Sequence, residues 1–397
     1  MGLTEYRAEI DALDDQLVRV LARRFAVCRE VAEYKASTGV PMMQPQRVTT
    51  VKQRAGERAA RYGLPAALVE QLYDAMVDAI CAMEDEIIAE RSGQAPPAPP
   101  VFVGGDDRSG TTLVSVILDS HPDLVVGPEL DYLLPDDLGP HLRECCRLLL
   151  TDDPRVRGAG VQTADPAYAM GVQLARQARR FGVDHAELDA LAAEAMRRTG
   201  SDLVDHADRL VLIEAIGRHR CRATGKPRWG IKIQRRIAEA GPLLQRWPGA
   251  RFVHVVRDGR DVAASQLRGG RDWGYRTIEE AAAGWAGLVE AVPAAVPAGS
   301  LVEIRYEDLV ADPEPVLRGV LDLLEVPWDA RVLRHADTDH SLFAEPYDHP
   351  SIDTVRRPIG GAAVGRYRRD LSAADRAAFE AVAGEALRRY GYLAVPG

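Results

Sequence analysis

Between residues 93 and 101 the chain reads GQAPPAPPV, and no other stretch constrains its fold as much. Proline fixes φ and lacks a backbone donor, so neither helix nor sheet runs through such a stretch. A Pro/Ala-rich run behaves instead as a semi-rigid spacer. The two sides of it are built from different materials. Before it, Thr4 to Arg91 contains few turn signals and almost no β-branched runs; after it, a strand-like VFVGG opens directly into DDRSGTTL. The expected organisation is an all-α domain over 1–92, a linker over 93–100 and an α/β domain with a parallel sheet over 101–397.

Bulk properties narrow the function classes. A chain of 397 residues has room for two or three domains with full cores. The net charge of -9 argues against a general nucleic-acid binder, although anion sites can be local. No run of about 18 apolar residues is present, and MGLTEYRAEID does not read as a signal peptide, so no membrane partner is expected. The five cysteines (Cys28, Cys81, Cys145, Cys146, Cys221) show neither CxxC nor Cys/His spacing. Reduced thiols, no bound metal and a cytoplasmic location follow as expectations.

Residues 4 to 36 contain neither Pro nor Gly, which predicts one helix about 50 Å long. A compact domain of this size has a radius of gyration of about 12 to 13 Å. Such a helix cannot bury its apolar stripe within its own domain, so a homodimer through the N-terminal helices is expected. A second helix is predicted from about Gln46 to Tyr62, and a third from beyond Pro65 to about Arg91. Along the apolar line of the first helix lie Arg7, Ile10, Asp14, Leu17, Leu21, Arg24, Cys28, Val31 and Lys35, and the third carries Glu84 in line with Ile80. Singly, each charged residue reads as a long side chain snorkelling from the stripe edge. Together they describe a polar pocket inside a helical bundle, suited to a small dicarboxylate.

The text YRAEIDALDDQLVRVLARRFAVCREVAEYK, then GVPMMQPQRV and a closing EDEII, resembles the all-helical AroQ class of chorismate mutases over most of residues 4–91. The resemblance implies that Arg7 (from the partner subunit), Arg24 and Arg47 clamp the two carboxylates of chorismate. It implies that Lys35 and Glu84 bind the ether oxygen whose bond breaks. Bidentate Arg–carboxylate pairs fix orientation, and a cation near the ether oxygen stabilises charge growing in the transition state. The rearrangement is intramolecular, so positioning replaces a nucleophile. Two positions depart from the family: Val48 stands where many members carry Glu, and Glu84 where Gln is usual. The PQRV text also occurs in isochorismate-pyruvate lyases and aminodeoxychorismate mutases, which remain alternatives, as does a non-catalytic dimerisation or ligand-sensing module.

In the second domain, GDDRSGTT (Gly105 to Thr112) has the skeleton of a phosphate-binding loop with Thr111 where a Walker lysine would stand. Its amides and the following helix N-terminus can still cradle an anion. Further on come WGIKI, RFVHVVRDGRDVAASQLR, LVEIRYEDLVADPEPVLRGVLDLLEVPWD and VGRYRRDL. This ordered set resembles sulfotransferases that use 3′-phosphoadenosine 5′-phosphosulfate (PAPS) over roughly 100–393. By that resemblance Arg108, Ser109, Gly110, Thr111 and Thr112 hold the 5′-phosphosulfate. Arg257 and Ser265 bind the 3′-phosphate, and Lys232 stabilises the leaving phosphate oxygen. Glu129, shortly after the HPD turn, becomes the base for the acceptor hydroxyl. His121 and His254 read as structural. Arg260 and Asp261 read as partners within the RDGRD turn, and Arg366 as a possible neighbour of the donor. Residues 140–228 are the least readable; in the family such an insertion lies over the acceptor site. The competing class, an ATP-dependent phosphotransferase, lacks its loop lysine here. The combined expectation is a bifunctional enzyme acting on small molecules, its acceptor a small hydroxylated metabolite, aromatic and chorismate-derived if the fusion is a guide.

Overall fold

The computed structural model describes residues 2–38, 45–65, scattered positions between 68 and 87, 98–130, 138–158, 163–268, 274–343 and 352–394. The chain divides into two compact units, one drawn from Met1–Pro97 and Arg197–Gly200, the other from Ala98–Met196 and Ser201–Gly397. None of the described helices is long and apolar enough to cross a membrane.

The first unit is helical. Helix α1 runs Leu3–Thr38 and α2 runs Pro45–Arg61. The described positions between 68 and 87 are helical as well. Its buried apolar residues, among those described, are mostly small: Ala32, Ala55 and Ala59, with Ile80. The larger ones along α1 face outward, Ile10 at 56% exposure, Leu17 at 55% and Val20 at 65%.

The second unit is built on a five-stranded parallel sheet in the order β2-β3-β1-β4-β5. The strands are β1 (Val101–Gly105), β2 (Leu124–Glu129), β3 (Arg228–Gln234), β4 (Arg251–Val256) and β5 (Leu301–Arg305). Side chains alternate across a strand, and both faces of a parallel sheet must be covered. Phe102, Ile231 and Phe252 accordingly enter one core with Trp229, while Val101, Val103, Val253 and Val255 enter the other. Chain order reverses about β1, whose neighbours are β3 and β4, and ligands of open α/β sheets bind at the carboxyl ends around such a point.

Candidate active site

Strand β1 ends at Gly105 and the chain turns through Asp106–Gly110 into helix α3 (Thr111–Asp119). Gly110 has φ 108°, and a Cβ there would lie 2.6 Å from the Tyr306 ring. Only glycine fits both requirements. Arg108 sits at φ 76°, a region that costs an ordinary residue energy and that concentrates at functional sites. Ser109 is buried, and its Oγ has no hydrogen-bond partner. A loop held in this form leaves backbone amides and a hydroxyl available to an anion at the start of a helix.

Lys232 enters from β3, 4% exposed. Its Nζ donates to Thr112 Oγ1 at 3.4 Å and lies 4.0 Å from Glu129 Oε2. The register explains the meeting, because Lys232 pairs with Val103 of β1 on one side and with Glu129 of β2 on the other. The β2 register shifts between Gly127 and Glu129, at Pro128, which has no N–H to give the ladder. Beside this group, burial and the Glu129 and Asp106 carboxylates push Asp107 up to about 6.

A second group forms around the carboxyl end of β4. The Arg108 Nε donates to Ser265 Oγ at 3.2 Å, and Arg257 Nη1 donates to the Arg108 carbonyl at 3.0 Å. The Arg257 guanidinium lies 4.8 Å from the Tyr306 ring centroid, and its Nε is buried without a hydrogen-bond partner. Asp261 ties this group to the C-terminal segment, accepting from Gly365 N at 2.8 Å and Tyr367 N at 2.9 Å. The loop arginine therefore stands with the Arg257/Ser265 pair, while Thr112 stands with Lys232. Thr111 donates its hydroxyl to Gln234 Oε1 at 3.1 Å, which anchors the loop to the end of β3.

The two histidines are structural. His121 Nδ1 accepts from Asp123 N at 3.1 Å, which leaves Nε2 to donate to the Pro327 carbonyl at 2.8 Å. His254 is fully buried with Nδ1 2.9 Å from Glu303. Arg260 pairs with Asp258 inside the turn, at 2.8 Å, but Asp261 reaches out of it as described. Arg366 pairs with Asp370 at 2.9 Å.

Sequence reading passed over one cluster. Asp106, 3% exposed, accepts from Arg235 Nη1 at 2.8 Å and from the Tyr275 hydroxyl at 3.0 Å. Gln266 Nε2 adds a bond to the Asp107 carbonyl at 2.9 Å. Burial raises Asp106 above the usual carboxylate range while Arg235 opposes it. The signal was available: two consecutive carboxylates in a turn between a buried strand and a buried helix require local cations or protons to hold them there.

In the helical unit Arg24 and Lys35 are half-buried and Arg7 is exposed. Arg24 Nη1 is buried with no hydrogen-bond partner, as a pocket-lining donor would be. Glu84 and the Arg47 side chain lie outside the described residues. Among the described residues no cluster of His, Cys, Asp and Glu could hold a metal ion.

Comparison with known proteins matches the two units separately. Residues 99–330 match the Sulfotransferase family, and residues 6–85 match Chorismate mutase type II. The chain is 42% identical over 90 residues to the 4-amino-4-deoxychorismate mutase of Streptomyces venezuelae, covering 23% of this chain and 87% of that protein. It is 25% identical over 301 residues to Protein-tyrosine sulfotransferase A of Caenorhabditis elegans, 74% of this chain and 67% of that protein. The sulfotransferase domain of the Synechococcus PCC 7002 olefin synthase shares the fold, with a TM-score of 0.51 at 23% identity over 76% of this chain and 96% of that one.

Proposed function

Because the chain belongs to the sulfotransferase family over 99–330 and to the type II chorismate mutases over 6–85, we propose a bifunctional enzyme that sulfates a small hydroxylated metabolite and rearranges a chorismate-type substrate. The family implies a sulfonate donor, and PAPS is the donor that these residues fit. The observation that carries the reading is Lys232, buried at the end of β3 between Thr112 and Glu129.

The orphaned Ser109 Oγ and Arg257 Nε suit a donor with an anion at each end. Ser109, Gly110, Thr111 and Thr112 would hold the 5′-phosphosulfate, and Arg108, Arg257 and Ser265 the 3′-phosphate. When bound, PAPS supplies an activated sulfuryl group. Lys232 stabilises the charge that grows on the leaving phosphate oxygen, a fixed cation aimed at the transition state. Glu129 takes the proton of the acceptor hydroxyl. Thr112 orients the lysine. The test is incubation of the full chain with PAPS and hydroxylated metabolites, with a chelator present, read by the mass gain of a sulfate. Strict magnesium dependence together with tight ATP binding would reject the reading in favour of a phosphotransferase.

For the helical unit, the 42% identity and the Val48 departure favour 4-amino-4-deoxychorismate over chorismate itself. Arg7, Arg24 and Arg47 would clamp the carboxylates, with Lys35 and Glu84 at the ether oxygen. The exposed Ile10, Leu17 and Val20 of α1 support a dimer that supplies Arg7 across the interface. Consumption of both substrates, assayed side by side with isochorismate, tests the assignment. No turnover of any of the three would favour a ligand-sensing module.

A further inference from the structure

A cleft open to solvent lies beside Lys232, and Thr112, Ser115, Arg180, Ser341 and Leu342 also line it. Two further polar side chains of the cleft, Asp119 and His340, are paired with each other. His340 Nδ1 meets Asp119 Oδ2 at 2.6 Å, and Asp119 Oδ1 accepts from Val126 N at 2.9 Å.

Two features of the cleft are not explained by sulfuryl transfer. Ser115, one turn along α3 from Thr112, is 4% exposed, and its Oγ has no hydrogen-bond partner. An orphaned hydroxyl in a buried wall carries a desolvation cost unless something enters to satisfy it. The second feature is Arg180, the last residue of the helix Ala169–Arg180, which brings a second cation, 8% exposed, into a cleft that already holds Lys232. A guanidinium stays charged at any ordinary pH, and its planar fork matches a carboxylate bidentately. Its direction is held by the next residue. The Phe181 ring fills the space above Gly127, where a Cβ would come within 2.5 Å of it. Glycine at 127 thus lets the end of this helix close on β2 and turn Arg180 into the cleft.

We propose that the acceptor is a hydroxy acid: Arg180 receives its carboxylate, Ser115 Oγ donates a further hydrogen bond to it, and its hydroxyl is presented to Glu129 and Lys232. This rests on the sulfotransferase reading. In the step itself the acceptor oxygen forms its bond to sulfur as the bond between sulfur and the bridging phosphate oxygen breaks. The hydroxyl proton passes to Glu129, and the departing phosphate keeps the electron pair beside Lys232. A neutral alcohol needs only those last two groups; a hydroxy acid uses all four.

The experiment takes the full chain and measures PAP binding by calorimetry first. Failure to bind PAP rejects the sulfotransferase reading and the proposal with it. With PAP saturating, 4-hydroxyphenylacetate and 3-(hydroxymethyl)benzoate are titrated against their methyl esters, and the same pairs are offered with PAPS. The acids are expected to bind about tenfold or more tightly than the esters and to be sulfated in preference, with Arg180→Gln abolishing the difference while PAP affinity stays unchanged. Esters that bind as well as acids, acids that do not bind a PAP-competent chain, or a preference that survives Arg180→Gln would each overturn the proposal. If Arg180→Gln loses PAP binding through misfolding, Ser115→Ala carries the test. It should weaken acid binding by about three- to tenfold and ester binding little, and unchanged acid binding would overturn the assignment.

Discussion

Helix α1 and helix α3 show two ways of using an apolar face. The first, 36 residues long, leaves Ile10, Leu17 and Val20 more than half exposed. The second is nine residues long and buries seven of them, from Thr111 through Leu118 with Thr112 the exception. The short helix lies over a sheet that covers it from one side while later helices cover the other. The long one outruns any core that a domain of some 90 residues can build. The proposed anion sites follow the same division. In the α/β unit the cations and donors come from β1, β3 and β4 of one chain. In the helical unit the proposed site draws Arg7 from a second copy.

The largest effect expected belongs to the single-chain site. Lys232→Ala should lower kcat for sulfuryl transfer by about 10²–10³-fold with donor affinity nearly unchanged, because its charge partner appears in the transition state. Steady-state kinetics with PAPS decides it, and an unchanged kcat would remove Lys232 from the reaction. Glu129→Gln should cost about 10²-fold with an aliphatic alcohol and less with a phenol, whose proton leaves more readily. Full activity toward the alcohol would move the base elsewhere.

The helical site is tested by complementation. Arg7→Ala and Arg24→Ala should each abolish rearrangement alone, yet an equilibrated mixture should recover about a quarter of wild-type activity. Random pairing makes half the dimers mixed, each with one intact site of two. Recovery near zero would mean that both arginines serve the site of their own chain. Glu84 gives a smaller, pH-dependent signal. An ionised carboxylate repels the ether oxygen and a protonated one donates to it, so turnover should rise several-fold as pH falls from about 8 to 5. Glu84→Gln should flatten that profile, and a wild-type rate that climbs with pH would rule Glu84 out as the donor.

The smallest effect concerns stability of the α/β unit. Asp107 stands at about 6 in the folded chain against an ordinary 3.8, so the fold favours its protonated form. Below 3.8 both folded and unfolded states hold the proton; as pH rises towards 6 only the folded state does, and stability is lost across that window. Asp107→Asn should therefore raise stability at neutral pH by about 1–3 kcal/mol and change little near pH 3.5. Chemical denaturation at the two pH values checks the sign, and equal effects at both would place the cause outside titration.

Much of the molecule was legible in one dimension because it is decided locally. The proline run announces a break in regular structure, since proline acts on its own φ and donor. The absence of Pro and Gly over 4–36 announced α1, observed as Leu3–Thr38. Gly105 and Gly110 marked the turn from β1 into α3 because a positive φ favours glycine whatever surrounds it. Asp106 with Arg235 and Tyr275, and Arg180 with Lys232, carried no such mark. Asp106 and Arg235 are 129 residues apart. Parallel strands need long crossovers, so residues that share a site at the carboxyl end of such a sheet are widely spaced in the chain. Backbone chemistry, which acts over a few residues, was fixed by the sequence alone. Which distant charges face one another was decided only by strand order and register, because these set the ends of β1, β2 and β3 side by side.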